Sequence, residues 1–201
     1  MQILTHPRDA FRDKQILAQQ VSDYLEPEYH PSHVLLDGND YTHDDTVLDE
    51  FRDYAFHWGR DRPRDRVPAH VLDLMNDDLC FNLVWLSRKA LELEEILFVW
   101  IVAHEFRHVY QAGKSFHFDV LRQKCSELRR DAEFRNLPSS PLGVAELDAE
   151  LFAMQTARSI FGVELLTAFL QSRPLPRCPY PEYTLFLQRL EVACRDNEKQ
   201  R

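Results

Sequence analysis

The sequence predicts an α+β fold: a small sheet drawn from the N-terminal half, packed with helices that dominate the C-terminal half. Three observations predict it. Only 5 of the 201 residues are glycine, so few positions favour left-handed backbone, and helices are preferred over tightly turned β-architectures. Two short segments in the first half, 33–37 (HVLLD) and 79–86 (LCFNLVWL), have the β-branched and aromatic composition of strands. From about Lys89 onward the apolar residues recur at helical spacing. With 44% hydrophobic and 28% charged residues, the composition is that of an ordinary globular chain. The length fits one domain, 1–201, made of a sheet-bearing part at 1–88 and a helical part at 89–201.

Taken in order, residues 7–25 read as an amphipathic helix, with Pro7 near its start and Phe11, Ile16, Leu17, Val21 and Leu25 at helical spacing. Residues 26–31 break it, and the strand at 33–37 closes on Gly38-Asn39. A helix is expected at 47–57, a polar loop at 60–68, a short helix at 69–76 and the second strand at 79–86. Then comes a long helix from Leu91 to Gln111, with Gly113 just past its end as a terminator. Further helices are expected at 116–135, 144–161, 163–172 and, after the proline-rich stretch 174–181, at 182–195.

Charge and composition exclude several functions. Lys and Arg total 24 against 33 Asp and Glu, a net charge of −9, which disfavours binding to nucleic-acid phosphates. The arginine-dense stretch RDRPRDR at 60–66 alternates in sign and reads as a solvated loop. The glycines are too scattered for either glycine-rich phosphate cradle, GxGxxG or GxxxxGK[ST]. The longest apolar run, ILFVWIVA at 96–103, is too short to span a bilayer, and residues 1–15 lack the apolar core of a signal peptide. Cys80, Cys125, Cys178 and Cys194 form no CxxC pair. A cytoplasmic protein with reduced, buried cysteines is therefore expected, with no nucleic acid and no membrane among its partners.

The chemistry-bearing feature is His104-Glu105-Phe106-Arg107-His108, an HExxH pattern inside the long helix. Successive helical residues advance by about 100°, so His104 and His108 differ by roughly 40° and project from one face, a turn apart. Two imidazoles so placed can reach one Zn²⁺, while Glu105, rotated aside, can address a water molecule instead of the ion. Chance placement of this chain's 9 histidines and its glutamates gives only about 0.03 such patterns. A third ligand is expected from the downstream helix, in Glu146-Leu147-Asp148-Ala149-Glu150-Leu151-Phe152-Ala153. Glu146 and Glu150 lie one turn apart, and Ala149 beside them permits close helix packing. Asp148 and Glu150 are alternatives to Glu146 on spacing alone.

HEFRH and ELDAELFA together resemble the gluzincin pattern of zinc metallopeptidases, in which a helix after HExxH supplies a glutamate in the form ExxA[D/E/N]. The likeness is to small ImmA/IrrE-like or M48-like peptidase cores and covers roughly residues 79–161. It implies a zincin-like fold, a single Zn²⁺ held by His104, His108 and Glu146, Glu105 as general base, and Glu150 as the polar residue orienting a ligand histidine. It also implies that the strand at 79–86 either offers an edge to an extended peptide or protein substrate or is an ordinary core strand. The 38-residue separation of His108 from Glu146 is longer than in ImmA/IrrE-like proteins, no helix-turn-helix module is apparent, and the membrane spans of M48-like enzymes are missing. The resemblance therefore reaches the superfamily and not a subfamily. Tyr110, His117, Tyr180 and Tyr183 are the candidate donors to an oxyanion.

The function expected is hydrolysis of peptide bonds by a zinc-activated water. Two alternatives accompany it: a catalytically silent regulatory or protein-binding module on the same fold, and a zinc hydrolase of a non-peptide amide. The sequence leaves substrate, cleavage preference and oligomeric state open.

Overall fold

Five strands form one mixed sheet in the computed structural model, which describes residues 1–6, 10–38, 55–56, 69–75, 80–113, 115–132, 134–172, 189 and 192. The strands are β1 (Gln2–His6), β2 (His33–Asp37), β3 (Ala55–Phe56), β4 (Ala69–Met75) and β5 (Cys80–Ser87), in the spatial order β1-β2-β5-β4-β3. The helices are α1 (Arg12–Ser22), α2 (Arg88–Leu91), α3 (Glu95–Gly113), α4 (Ser115–Leu128) and α5 (Pro141–Ser172). The architecture is thus α+β, a small mixed sheet with helices. The chain divides into two compact units, Met1–Lys114 and Ser115–Arg201.

In the first unit, β1, β2 and β5 run parallel, with Gln2 opposite His33 and His33 opposite Leu83. Parallel neighbours require a crossover, which α1 supplies between β1 and β2. The helix expected at 7–25 is therefore shorter: Gln2–His6 is a strand, and α1 begins at Arg12. Pro7 lies outside the described residues. A five-residue run has too few side chains to declare its own period, and pairing with β2 decides it.

Residues 69–76, expected as a helix, form β4 instead. It pairs antiparallel with β5 along its whole length, from Ala69 opposite Leu86 to Met75 opposite Cys80, so the ladder overrides a weak local helical preference. The 79–86 strand is present as β5, but it is not an edge. It is hydrogen-bonded to β2 on one side and to β4 on the other, which removes it as a substrate-pairing strand. Its run Leu83-Val84-Trp85-Leu86 is buried throughout, as is Val34-Leu35-Leu36 of β2, the pattern of central strands covered on both faces. The helix expected at 47–57 falls outside the described residues except at Ala55–Phe56, which is strand β3, and the 60–68 loop lies outside them altogether.

The long helix expected from Leu91 to Gln111 is α3, which starts later, at Glu95, and runs on to Gly113, with the short α2 before it. Ser87 caps α2, its Oγ accepting from Ala90 N at 3.3 Å. The chain then turns, and the carbonyl of Leu93 accepts a hydrogen bond from Lys14 Nζ at 2.6 Å instead of continuing a helical ladder. The same ammonium lies 4.6 Å from the Phe98 ring centroid, which ties α1 to the start of α3. Phe98, Val99, Val102, Ala103 and Phe106 of α3 are fully buried and anchor it in the core of this unit.

In the second unit, α4 ends at Leu128, short of the expected 135. Turns stabilised by Phe134 N to Asp131 O and Leu137 N to Phe134 O carry Phe134 and Leu137 into the core, so the apolar residues that extend the helical spacing pack from a loop. Helix α5 starts at Pro141, three residues before the expected 144, with Ser140 as its cap: Ser140 Oγ accepts from Gly143 N at 3.1 Å. The two helices expected at 144–161 and 163–172 are the two halves of α5, separated at Gly162, whose φ of 83° and ψ of 163° are non-helical. Of the helix expected at 182–195 only Arg189 and Val192 are described, both helical. Cys125 is buried and in no disulfide; the side chain of Cys80 and all of Cys178 and Cys194 lie outside the described residues. Among the described residues, no helix is long and apolar enough to cross a membrane.

Candidate metal centre

The middle of α3 is where the apolar stripe meets the ionisable residues. Val102 and Ala103 are fully buried, and the two residues that follow, His104 and Glu105, remain at 3% and 5% exposure. Burying a polar ring and a carboxyl group side by side carries a desolvation cost that their interactions must offset. His108 lies one turn on and is half-buried.

The two imidazoles face one another through the same nitrogen. His104 Nε2 and His108 Nε2 are 3.1 Å apart, with ring centroids 4.7 Å apart and planes at 82°. An ion at about 2.05 Å from both nitrogens would subtend an angle of about 98° across that 3.1 Å separation, near the tetrahedral value that zinc prefers. His108 Nδ1, at the far side of its ring, is 2.8 Å from Gln111 Oε1. An amide oxygen only accepts, so this contact requires Nδ1–H as donor and leaves His108 Nε2 with its lone pair available.

Glu146 completes a group: one ligand atom from each of His104, His108 and Glu146 lies within 4.8 Å of the others. Neither Asp148 nor Glu150 belongs to it. The helical wheel explains the choice, since Asp148 is rotated by roughly 200° from Glu146 and is buried on another side of α5. Glu150 is half-buried on the Glu146 side, and at His108 the place of the ring's far partner is held by Gln111. Two imidazole nitrogens and one carboxylate oxygen form a borderline donor set that suits Zn²⁺ and leaves a fourth position open.

Among the candidate oxyanion donors, Tyr110 is directed elsewhere. It lies roughly 200° around α3 from His108, its ring packed edge-on against Tyr29 at 4.9 Å and stacked under the Arg107 guanidinium at 4.1 Å. The side chain of His117 and all of Tyr180 and Tyr183 lie outside the described residues. Sequence reasoning missed Gln111. Its signal was its position three residues after His108, within about 60° of that ligand on the wheel.

Comparison with protein-family models, curated proteins and solved structures returns no match to this chain.

Proposed function

We propose that the chain is a zinc-dependent metallopeptidase of the gluzincin kind, acting on peptide or protein substrates. The observation that carries this reading is the 3.1 Å approach of His104 Nε2 and His108 Nε2, in a group with Glu146 that could hold a metal ion, beside a buried glutamate that the group does not use. Bound there, zinc supplies Lewis acidity, which brings the pKa of water towards about 7 and polarises a substrate carbonyl. Glu105 sits roughly 100° from His104 on the same helix, beside the ligand face. From that place its carboxylate accepts a proton from the attacking water and returns it to the departing amine. A ligand carboxylate would be occupied by the ion; Glu105, outside the ligand group, is the carboxylate that would move protons, which a purely structural metal site would not need.

The test is a peptide-library digestion by wild type and Glu105→Gln. Glu105→Gln is expected to keep its zinc and lose hydrolysis by at least about 10²-fold, the usual contribution of a general base. A Glu105→Gln protein that holds zinc and cleaves the same peptide at the wild-type rate sinks the assignment of the base.

A further inference from the structure

Gln111 is a neutral, buried side chain on the ligand face of α3, with 4% of its surface exposed. It has no part in the HExxH pattern. We infer that Gln111 is the positioning residue for His108: by accepting from Nδ1–H it holds that imidazole in the tautomer whose Nε2 is free to bind a metal ion. The inference rests on the metal-site reading and deepens it.

The chemistry follows from two distances and one angle. The 2.8 Å contact from His108 Nδ1 to Gln111 Oε1 is a full-strength hydrogen bond. It fixes the ring proton at Nδ1. The 3.1 Å contact between His108 Nε2 and His104 Nε2 can then form only with the proton on His104 Nε2, so the metal-free pair is held together by one shared proton. An ion bound at both Nε2 atoms would require His104 to give up its Nε2 proton to solvent and carry a proton at Nδ1 instead, whereas His108, already Nδ1–H, would need neither a proton shift nor a ring rotation. The ring's edge-on disposition to His104, at 82°, is thereby kept in both states. Imidazole ligands generally have such a partner at the far nitrogen, and its loss commonly lowers metal affinity by about 10–100-fold. An amide differs from the more familiar carboxylate in carrying no charge, so it orients the ring without placing a second anion beside the ion.

The experiment uses the full chain as wild type, Gln111→Leu and Gln111→Glu. Side-chain ¹⁵N spectra of the metal-free proteins report the tautomer of His108, assigned by the signals lost in His108→Asn. Zinc affinity is measured by competition with a chromophoric chelator. Wild type is expected to show the Nδ1–H tautomer. Gln111→Leu should shift His108 towards Nε2–H and weaken zinc binding by about 10–100-fold. Gln111→Glu keeps an acceptor at the same place and should retain both the tautomer and an affinity within a few-fold of wild type.

A wild-type His108 in the Nε2–H tautomer overturns the inference without reference to any variant, so poor folding of Gln111→Leu would not shelter it. Wild type that binds zinc while Gln111→Leu keeps both tautomer and affinity overturns the role of Gln111 alone. A wild-type chain that takes up no zinc overturns the metal reading, and the positioning role with it.

Discussion

Gly143 occupies the first turn of the helix that carries Glu146, and the structure states what a side chain there would meet. A Cβ built on Gly143 lies 2.7 Å from Pro138 Cβ and 3.1 Å from Ser140 Oγ. Two carbon atoms attract each other best at about 3.5–4.0 Å, so the first of these contacts is roughly 1 Å too short and strongly repulsive. Pro138 Cβ belongs to a ring close to the chain and cannot swing aside as the tip of a long side chain would. Relief must come from moving the 138–141 segment or the start of α5, and overpacking of this kind costs about 1–3 kcal/mol. Alanine returns about 0.5–1 kcal/mol through its better helix propensity. The net expectation for Gly143→Ala is a loss of about 1–2 kcal/mol. With a urea slope of about 2 kcal/mol/M, the unfolding midpoint should fall by about 0.5–1 M at unchanged slope. A midpoint equal to or above that of wild type would refute the close-approach account of this glycine.

Gly162→Ala tests a different cause, because nothing lies within 4 Å of its Cβ position while its φ is +83°. The cost should be backbone strain alone, about 1–3 kcal/mol, and a variant as stable as wild type in the same urea titration would show that the break in α5 is not built on this conformation. Trp85 Nε1 donates to Asp37 Oδ2 at 3.0 Å between two buried side chains, so Trp85→Phe removes one donor from a buried carboxyl group. Its expected cost is about 1–3 kcal/mol, and a loss below a few tenths would mean that the bond carries no stability. His33 titrates below the ordinary histidine range of 6.5, first because burial disfavours its charged form and second because the amino terminus is nearby. The folded chain thus binds this proton less readily than the unfolded chain, and stability is expected to fall as pH drops below about 6.5 towards the lowered folded value. His33→Asn should flatten that part of the stability–pH curve; identical slopes for variant and wild type between about pH 7 and pH 5 would contradict this.

How far the sequence speaks for the fold depends on how much local information each element holds. The β2 run HVLLD and the run CFNLVWL within β5 are apolar enough to be central strands wherever they occur, and they are. Strand β4 is different: AHVLDLM mixes residues that suit either structure, and only its register with β5 makes it extended. Strand β1 is likewise defined by its partner. At the break between α2 and α3 the Leu93 carbonyl accepts from Lys14, 79 positions away, a contact that no local pattern could reveal. The start of α5, by contrast, was legible. Ser140-Pro141 is a cap followed by a first-turn proline, and weighing that pair would have moved the boundary to where it lies.

The candidate site divides the same way. The spacing of His104 and His108 follows from helical geometry, so their convergence needed no tertiary information. Spacing left Glu146, Asp148 and Glu150 open and the resemblance favoured Glu146, which is the one of the three that the fold groups with the histidines. Gln111 was hidden because a neutral amide near a metal pattern announces no chemistry of its own. The place given to 79–86 at a substrate-binding edge came from the resemblance, and the pairing of β5 on both sides withdraws it.

The central claim is that His104, His108 and Glu146 hold one metal ion, and the most direct measurement is the zinc content of purified protein after dialysis against trace zinc. About one zinc per chain is predicted for wild type and for Glu105→Gln, with loss from His104→Ala, His108→Ala and Glu146→Ala. Wild-type protein that is folded yet retains no zinc, or a Glu146→Ala protein that binds it as tightly as wild type, would contradict the account.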